Sequence, residues 1–218
     1  MVVALQANYL EVELEAPPVD VPPRLLCTRR TRLNHRGAAV HVGDRVGVEA
    51  IDRDHARAVV AEVDPRSSFL VRPPVANASC ILVAVAVEQP AFDADQVSRF
   101  LLTAEKTGLQ VLLVLTKCDL LDSAALSQLQ QRLHGWGYDP ILVSARSGMG
   151  FDELRAQLAT VPISVLCGPS GVGKSSLLNG LLPGNSTSRL ETSSGSSGRL
   201  NPGVSATLEP EVIACNST

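Results

Sequence analysis

Gly168-Pro169-Ser170-Gly171-Val172-Gly173-Lys174-Ser175 matches Gly-x-x-x-x-Gly-Lys-Ser at every fixed position. This spacing suits the holding of phosphate. The glycines let the backbone curl until its N–H groups point inward at phosphate oxygens, and the helix that follows adds the positive end of its dipole. Lys174 is placed to reach the β- and γ-phosphates, and the Ser175 hydroxyl to ligate Mg²⁺. Ser176 continues the cradle into the helix. An apolar strand, Ile163–Cys167, precedes the loop, and a helical pattern from about Lys174 to Leu182 follows it. A glycine-rich turn without a ligand is the plain alternative, and this strand–loop–helix context argues against it.

The loop alone does not choose a base. Thr116-Lys117-Cys118-Asp119 supplies a choice. A carboxylate at Asp119 can accept two hydrogen bonds from the N1–H and 2-amino group of guanine, a donor pair that adenine lacks. The Lys117 stem can pack along the base plane. Threonine stands where a carboxamide is common, and its hydroxyl can partly replace the amide. Ser144-Ala145-Arg146 follows the next strand and offers a backbone N–H for the guanine O6. Taken singly, the tetrapeptide reads as a surface loop and the tripeptide says almost nothing. Together, the three loops fall at the C-terminal ends of successive apolar strands, the rim where open α/β sheets bind ligands.

The strands that must position these loops are legible. Cys80 to Val87 is a continuous apolar run, half of it β-branched, as a parallel strand buried on both faces reads. Val111–Leu115, Ile141–Val143 and Ile163–Cys167 are further buried strands. Helical patterns run from about Asp95 to Lys106, Ser123 to Leu133 and Asp152 to Leu158. Strands alternating with helices predict an α/β fold with a parallel sheet.

Residues 24–72 read differently. Short segments at Arg24–Thr28, Ala38–Val42, Arg45–Ala50 and Arg57–Val63, with frequent turns, predict a small β-barrel. Pro73-Pro74 breaks the chain there. The predicted organisation is an N-terminal segment over 1–23, a barrel over 24–72, an α/β domain over 73–183, and a flexible Ser/Gly-rich tail over 184–218.

The chain has 218 residues, 45% hydrophobic and only 3% aromatic, so aliphatic packing must carry the core. No stretch reaches the roughly 18 apolar residues a membrane span needs, and the first residues lack a basic lead and an apolar leader segment. A soluble cytoplasmic monomer without a membrane partner is expected. The five cysteines are widely spaced and form no Cys-x-x-Cys pair, which predicts reduced thiols and no zinc site. The net charge of −3 hides an asymmetry: residues 1–20 carry four acids and no base, and residues 24–72 carry ten arginines against six acids. A basic module suits a nucleic-acid partner, and a solvated charged face is the equal alternative.

In this chain the guanine-reading loop precedes the phosphate loop, the reverse of ordinary small GTPases. With that order, the chain resembles the ribosome small-subunit-dependent GTPase A family, a group of circularly permuted bacterial GTPases. Val42-Gly43-Asp44-Arg45-Val46 is similar to a strand turn in that family's OB-fold domain. The segment from Arg66 to Asn77 is similar to its junction with the GTPase domain. The match runs from about residue 24 to about residue 182. It implies an OB-like barrel followed by a permuted P-loop GTPase domain, with GTP or GDP and Mg²⁺ as ligands. It further implies the small ribosomal subunit and its rRNA as partners, and GTP hydrolysis during late subunit assembly. A guanylate-kinase-like transferase is disfavoured, because too little chain follows Ser175. The family's His-Thr-Thr switch, Asp-Thr-Pro-Gly loop and zinc-binding domain have no counterpart here, and Gly198-Arg199-Leu200 only echoes the first switch. The chain therefore reads as a member cut short, with a doubtful hydrolytic step, no identifiable catalytic residue, and Ile163–Cys167 left as an exposed apolar edge. The alternative is an RNA-binding module whose GTPase half is a relic.

Overall fold

A computed structural model describes residues 1–6, 8–30 and 39–181, and the backbone of residues 211–214. The turn-rich stretch ending at Gly37, the residues around Gly198 and most of the tail over 184–218 lie outside the described residues. The chain divides into two compact units, Met1–Ala78 and Ser79–Thr218.

The first unit begins with β1 (Val2–Leu5), β2 (Leu10–Glu13) and β3 (Arg24–Arg29), followed by β4 (Val46–Asp52) and β5 (Arg57–Val63). The sheet order is β1-β2-β3-β5-β4. All pairs are antiparallel except β3 with β5. The sheet closes on itself. Val2 N–H donates to the Asp44 carbonyl at 2.8 Å and Gly43 N–H to the Val2 carbonyl at 2.9 Å, joining β1 to the lead-in of β4. Closure of this kind removes sheet edges. Inside lie Val2, Leu10, Val12, Leu25, Cys27 and Val60, all essentially inaccessible. The alternation of β2, with Leu10 and Val12 buried between Glu11 and Glu13, is the ordinary signature of a strand with one wet face. Two strands of the segment 1–23, β1 and β2, thus pair into the barrel sheet. Among the described residues of Ala38–Val42 there is no strand, only a single bridge from Val42 to Val75. Pro73 sits at the turn of a hairpin, β6 (Phe69–Val71) with β7 (Pro74–Ala76), so the chain reverses there and the unit ends later, at Ala78.

Asp44 is fully buried, and Arg66 grips it at both oxygens, Nε to Oδ1 at 2.7 Å and Nη2 to Oδ2 at 2.8 Å. Nη2 also reaches the Ala39 carbonyl, and His41 N–H donates to Asp44 Oδ2. Removing one partner of such a pair strands a charge in a dry site. Arg66→Ala is therefore expected to destabilise this unit by about 3 kcal/mol, measured by urea denaturation; a loss below about 0.5 kcal/mol, the range of ordinary surface changes, would contradict the assignment.

The second unit is built on β8 (Cys80–Ala86), β9 (Gln110–Thr116), β10 (Ile141–Leu142), β11 (Ile163–Cys167) and β12 (Glu211–Ala214), in the order β10-β9-β8-β11-β12. Helices α1 (Ala94–Glu105), α2 (Ser123–His134), α3 (Phe151–Leu158) and α4 (Lys174–Leu181) join the strands. Every residue of β8 is buried. Leu82, Ala84 and Ala86 pack with Phe151, Leu154, Leu158, Leu177 and Leu178 of α3 and α4. Ile81, Val83 and Val85 face the other way, onto Val97, Phe100, Leu101 and Ala104 of α1. This is why the run shows no polar alternation: helices cover both faces. Asp93 and Asp122 start α1 and α2, accepting from the backbone N–H groups of Asp95 and Gln96 and of Ala125.

β11 is not an exposed edge. Ile163 to Leu166 pair antiparallel with Ala214 to Glu211. The expected lack of regular structure after Pro183 is thereby corrected over these four residues, which take a place in the sheet. A strand carrying Val212 and Ile213 in a Ser/Gly-rich stretch is short enough to be masked by its surroundings.

Candidate nucleotide site

The parallel strands place three loops at one rim. The loop after β11 is the phosphate loop. Gly168, Gly171 and Gly173 all take positive φ, at 152°, 78° and 95°. A Cβ on Gly168 would lie 2.1 Å from the Ala84 carbonyl oxygen of β8, so only glycine lets the chain turn so close to the neighbouring strand. Lys174 opens α4 and folds its ammonium back over the loop, donating to the Gly168 and Pro169 carbonyls at 3.2 Å each. Ser170, Ser175 and Ser176 are exposed, and Pro169 is half-buried.

The loop after β9 turns sharply at Lys117, which adopts φ 58°, into a single 3₁₀ turn over Cys118–Leu120. Thr116 is buried. Its hydroxyl lies 2.6 Å from the Val172 carbonyl and 3.2 Å from the Val85 carbonyl, tying the base loop to the phosphate loop. The hydroxyl thus makes a cross-loop contact from within the strand. Lys117 Nζ donates to the Gly171 carbonyl at 2.7 Å and to the Gln89 carbonyl. Cys118 turns inward, with its thiol on the Leu115 carbonyl, and does not line the site.

The loop after β10 holds Asp119 in place. Ser144 Oγ donates to Asp119 Oδ1 at 2.5 Å and accepts from Ser147 N–H at 3.2 Å. Ser144 N–H is taken by the Met149 carbonyl at 3.0 Å. Ser144 is thus an orienting residue, and Ala145 is the member of its loop that lines the cavity. The Ser144 bond, with Arg146 adding to it, holds the Asp119 carboxyl below the usual carboxylate range. A depressed pKa means that protonation is postponed on acidification. From about pH 7 toward about pH 4, near the ordinary Asp value, guanine-nucleotide affinity is expected to persist further in the unaltered chain than in Ser144→Ala. Fluorescent-nucleotide titration across this range checks it, and coincident profiles would contradict it.

Thr116, Lys117, Asp119, Ala145, Val172, Gly173 and Ser176 line a single cavity of about 690 Å³. Its size falls within that of small-molecule sites. Gln89, Leu120, Arg146 and Asn179 also line it. Of these, Gln89 and Asn179 carry no motif that would mark them in the sequence. Burial pushes the neighbouring thiols up, Cys118 to about 11 and Cys167 to about 12, so both are neutral at physiological pH. Neither is a nucleophile there.

Among the described residues, no group of three or more His, Cys, Asp or Glu side chains gathers to hold a metal. The Ser175 hydroxyl, exposed in the first turn of α4, suits one position of a Mg²⁺ ion whose other ligands are phosphate oxygens and water. Among the described residues, no helix is long and apolar enough to cross a membrane.

A phosphate loop and a base-reading loop in inverted chain order, at one rim of a parallel sheet that follows a β-barrel unit in the chain, define a circularly permuted P-loop GTPase. The sequence profile described as RsgA GTPase matches residues 63–217, and the chain belongs to this family. It is 65% identical over 213 residues to a small ribosomal subunit biogenesis GTPase RsgA from Synechococcus sp. (strain CC9311), across 97% of this chain and 68% of that protein. A protein of the same description from Synechococcus sp. (strain CC9605) is 64% identical, across 98% of this chain and 69% of its own length. Among solved structures, YjeQ from Thermotoga maritima superposes with a TM-score of 0.71 at 33% identity, over 84% of this chain and 64% of that one. YloQ, described as a circularly permuted GTPase, gives 0.68 at 27% identity, over 82% and 62%. The chain thus spans about two thirds of the length of these relatives.

Proposed function

We propose that this chain binds GDP and GTP with Mg²⁺ and serves as a GTPase in the biogenesis of the small ribosomal subunit. The observation that carries the nucleotide reading is the shared cavity: Asp119 and the phosphate-loop residues Val172 and Gly173 line the same space. Alongside it, the phosphate loop binds the phosphates through backbone N–H groups and Lys174. Asp119 accepts from the guanine N1–H and 2-amino group, with Ser144 fixing its second oxygen. Ala145 offers its N–H toward the guanine O6, and the Lys117 stem flanks the ring. The ribosomal part of the reading rests on the family, whose relatives carry that description, and names the subunit's rRNA as the partner.

Hydrolysis by these 218 residues is proposed to be slow. No aspartate occurs between Asp152 and the last residue, so the sequence offers none after the phosphate loop to hold Mg²⁺ through water. Asp119, placed for the base, is the only carboxylate that lines the described cavity.

Titration with GDP and ATP, on the full chain and on Asp119→Ala, tests the site. GDP is expected to bind at least about 100-fold tighter than ATP, since a site built for hydrogen-bonding groups strongly rejects a ligand lacking them. Asp119→Ala is expected to erase most of that ratio. Equal binding of ATP and GDP by the unaltered chain would overturn the reading.

A further inference from the structure

A fourth loop takes part in this site, and no motif announces it. The segment after β8, residues 88–93, passes beside the phosphate loop. Gln89 lines the cavity together with Asp119 and Gly173. Its backbone carbonyl accepts from Lys117 Nζ, and the Gly171 carbonyl accepts from the same ammonium at 2.7 Å. Lys117 therefore joins two loops that come from opposite ends of the permuted order. Its stem crosses the phosphate loop closely enough that a Cβ on Gly173 would meet Lys117 Cε at 3.8 Å. Pro90 sits on the outer side, where a Cβ on Gly171 would meet Pro90 Cδ at 3.8 Å.

The segment is pinned further along. Phe92 packs against the core on the α1 and α2 side of the sheet, and the Arg132 guanidinium of α2 lies over its ring at 5.9 Å. Asp93 then caps α1. With β8 fixed at one end and α1 at the other, the Gln89 carbonyl is a rigid acceptor.

From this we infer that Gln89 and Pro90 are positioning residues for nucleotide binding. The Gln89 carbonyl, with Pro90 holding the chain beside it, completes with the Gly171 carbonyl a socket for the Lys117 ammonium, so that the lysine stem lies as a fixed apolar rail along the purine and its sugar. A lysine side chain is long and loses much rotamer freedom when it is ordered. An ammonium bonded to two fixed carbonyls has met that cost before the ligand arrives, which is how preorganisation raises affinity. The socket contributes to the binding of guanosine nucleotides and nothing to the binding of bare phosphate chains. The inference rests on the nucleotide reading given above.

A double-mutant cycle on the full chain tests it, with GDP and inorganic tripolyphosphate as probes. Lys117→Met keeps the stem and removes the ammonium; Pro90→Gly frees the socket. Each change alone is expected to weaken GDP by about fivefold to fiftyfold, the range of coupling between contacting residues. Tripolyphosphate affinity is expected to stay within about twofold. In the Lys117→Met background, Pro90→Gly is expected to add less than about twofold, because the group it positions is gone. Phe92→Ala, which releases the segment at its other anchor, provides a second variant if Pro90→Gly folds poorly. Independent, additive effects on GDP, or equal losses for tripolyphosphate, would overturn the socket while leaving the site intact. Failure of the unaltered chain to bind GDP at all would overturn both.

Discussion

Lys174→Ala is expected to lower affinity for GDP and GTP by about 100-fold or more while leaving the fold in place. The lysine is the only cation within the phosphate loop. Its ammonium rests on the Gly168 and Pro169 carbonyls at 3.2 Å, bonds at the long end of the normal range. Charge-assisted bonds to phosphate oxygens are shorter and roughly twice as strong as neutral ones. Removing a donor to a charged group costs about 1.5–3 kcal/mol per bond, and two such bonds, to the β- and γ-phosphates, give the stated loss. Backbone donors and the dipole of α4 are untouched, so a residue of phosphate affinity persists. Isothermal titration with GDP, alongside a melting curve, reads both parts. An affinity within about tenfold of the unaltered chain, a gap of only about 1.4 kcal/mol, would show that the loop does not hold the β-phosphate. A collapsed melting transition would show that Lys174 is structural.

Gly168→Ala has the largest predicted effect on stability. A methyl group there would sit 2.1 Å from the Ala84 carbonyl oxygen, at a φ of 152° that side chains rarely adopt. The obstacle is backbone, and that backbone cannot yield. β8 is hydrogen-bonded to β9 on one side and β11 on the other, and both its faces are buried. Relief must come from moving the phosphate loop away from β8, which breaks the cradle. A loss above about 4 kcal/mol is expected, a size reached only through such mechanisms. For a chain of this length it corresponds to a drop of roughly 10 °C in Tm. Guanine-nucleotide binding should vanish with it. A variant that melts within about 2 °C of the parent, the shift that well under 1 kcal/mol produces, and binds GDP normally would contradict the close approach.

Much of the α/β unit was legible in the sequence. Cys80–Val87 announced a doubly covered strand by lacking any polar alternation, and the Asp93 and Asp122 caps sit where the helical patterns begin. Each of the three loops could be placed because each directly follows an apolar run. The barrel unit was harder. Leu10-Glu11-Val12-Glu13 carried the period of a half-buried strand, yet its acids drew attention to charge instead. Pro73-Pro74 looked like a break because proline ends strands, and here it turns a hairpin. Within the site, the Ser144-Ala145-Arg146 loop read as the source of one backbone donor, with no role for the Ser144 hydroxyl. The Ser144 N–H is in fact committed to Met149, and its hydroxyl does the orienting. Gln89 was invisible for a simple reason: it acts through a carbonyl, which every residue possesses.

The described arginines of residues 24–72 look different once folded. Arg24 lies 3.5 Å from both Glu11 and Glu13, Arg45 3.6 Å from Glu15, and Arg53 3.8 Å from Asp20. All four acids of the first twenty residues thus neutralise arginines of the same barrel. Each contact is solvent-exposed and worth little to stability. Their collective effect is on charge: the acids of residues 11–20 already sit beside Arg24, Arg45 and Arg53. If the proposed rRNA partner meets this unit, its phosphodiester backbone must displace these carboxylates at those arginines, so its attraction would be weaker and less steeply salt-dependent than a count of basic residues suggests.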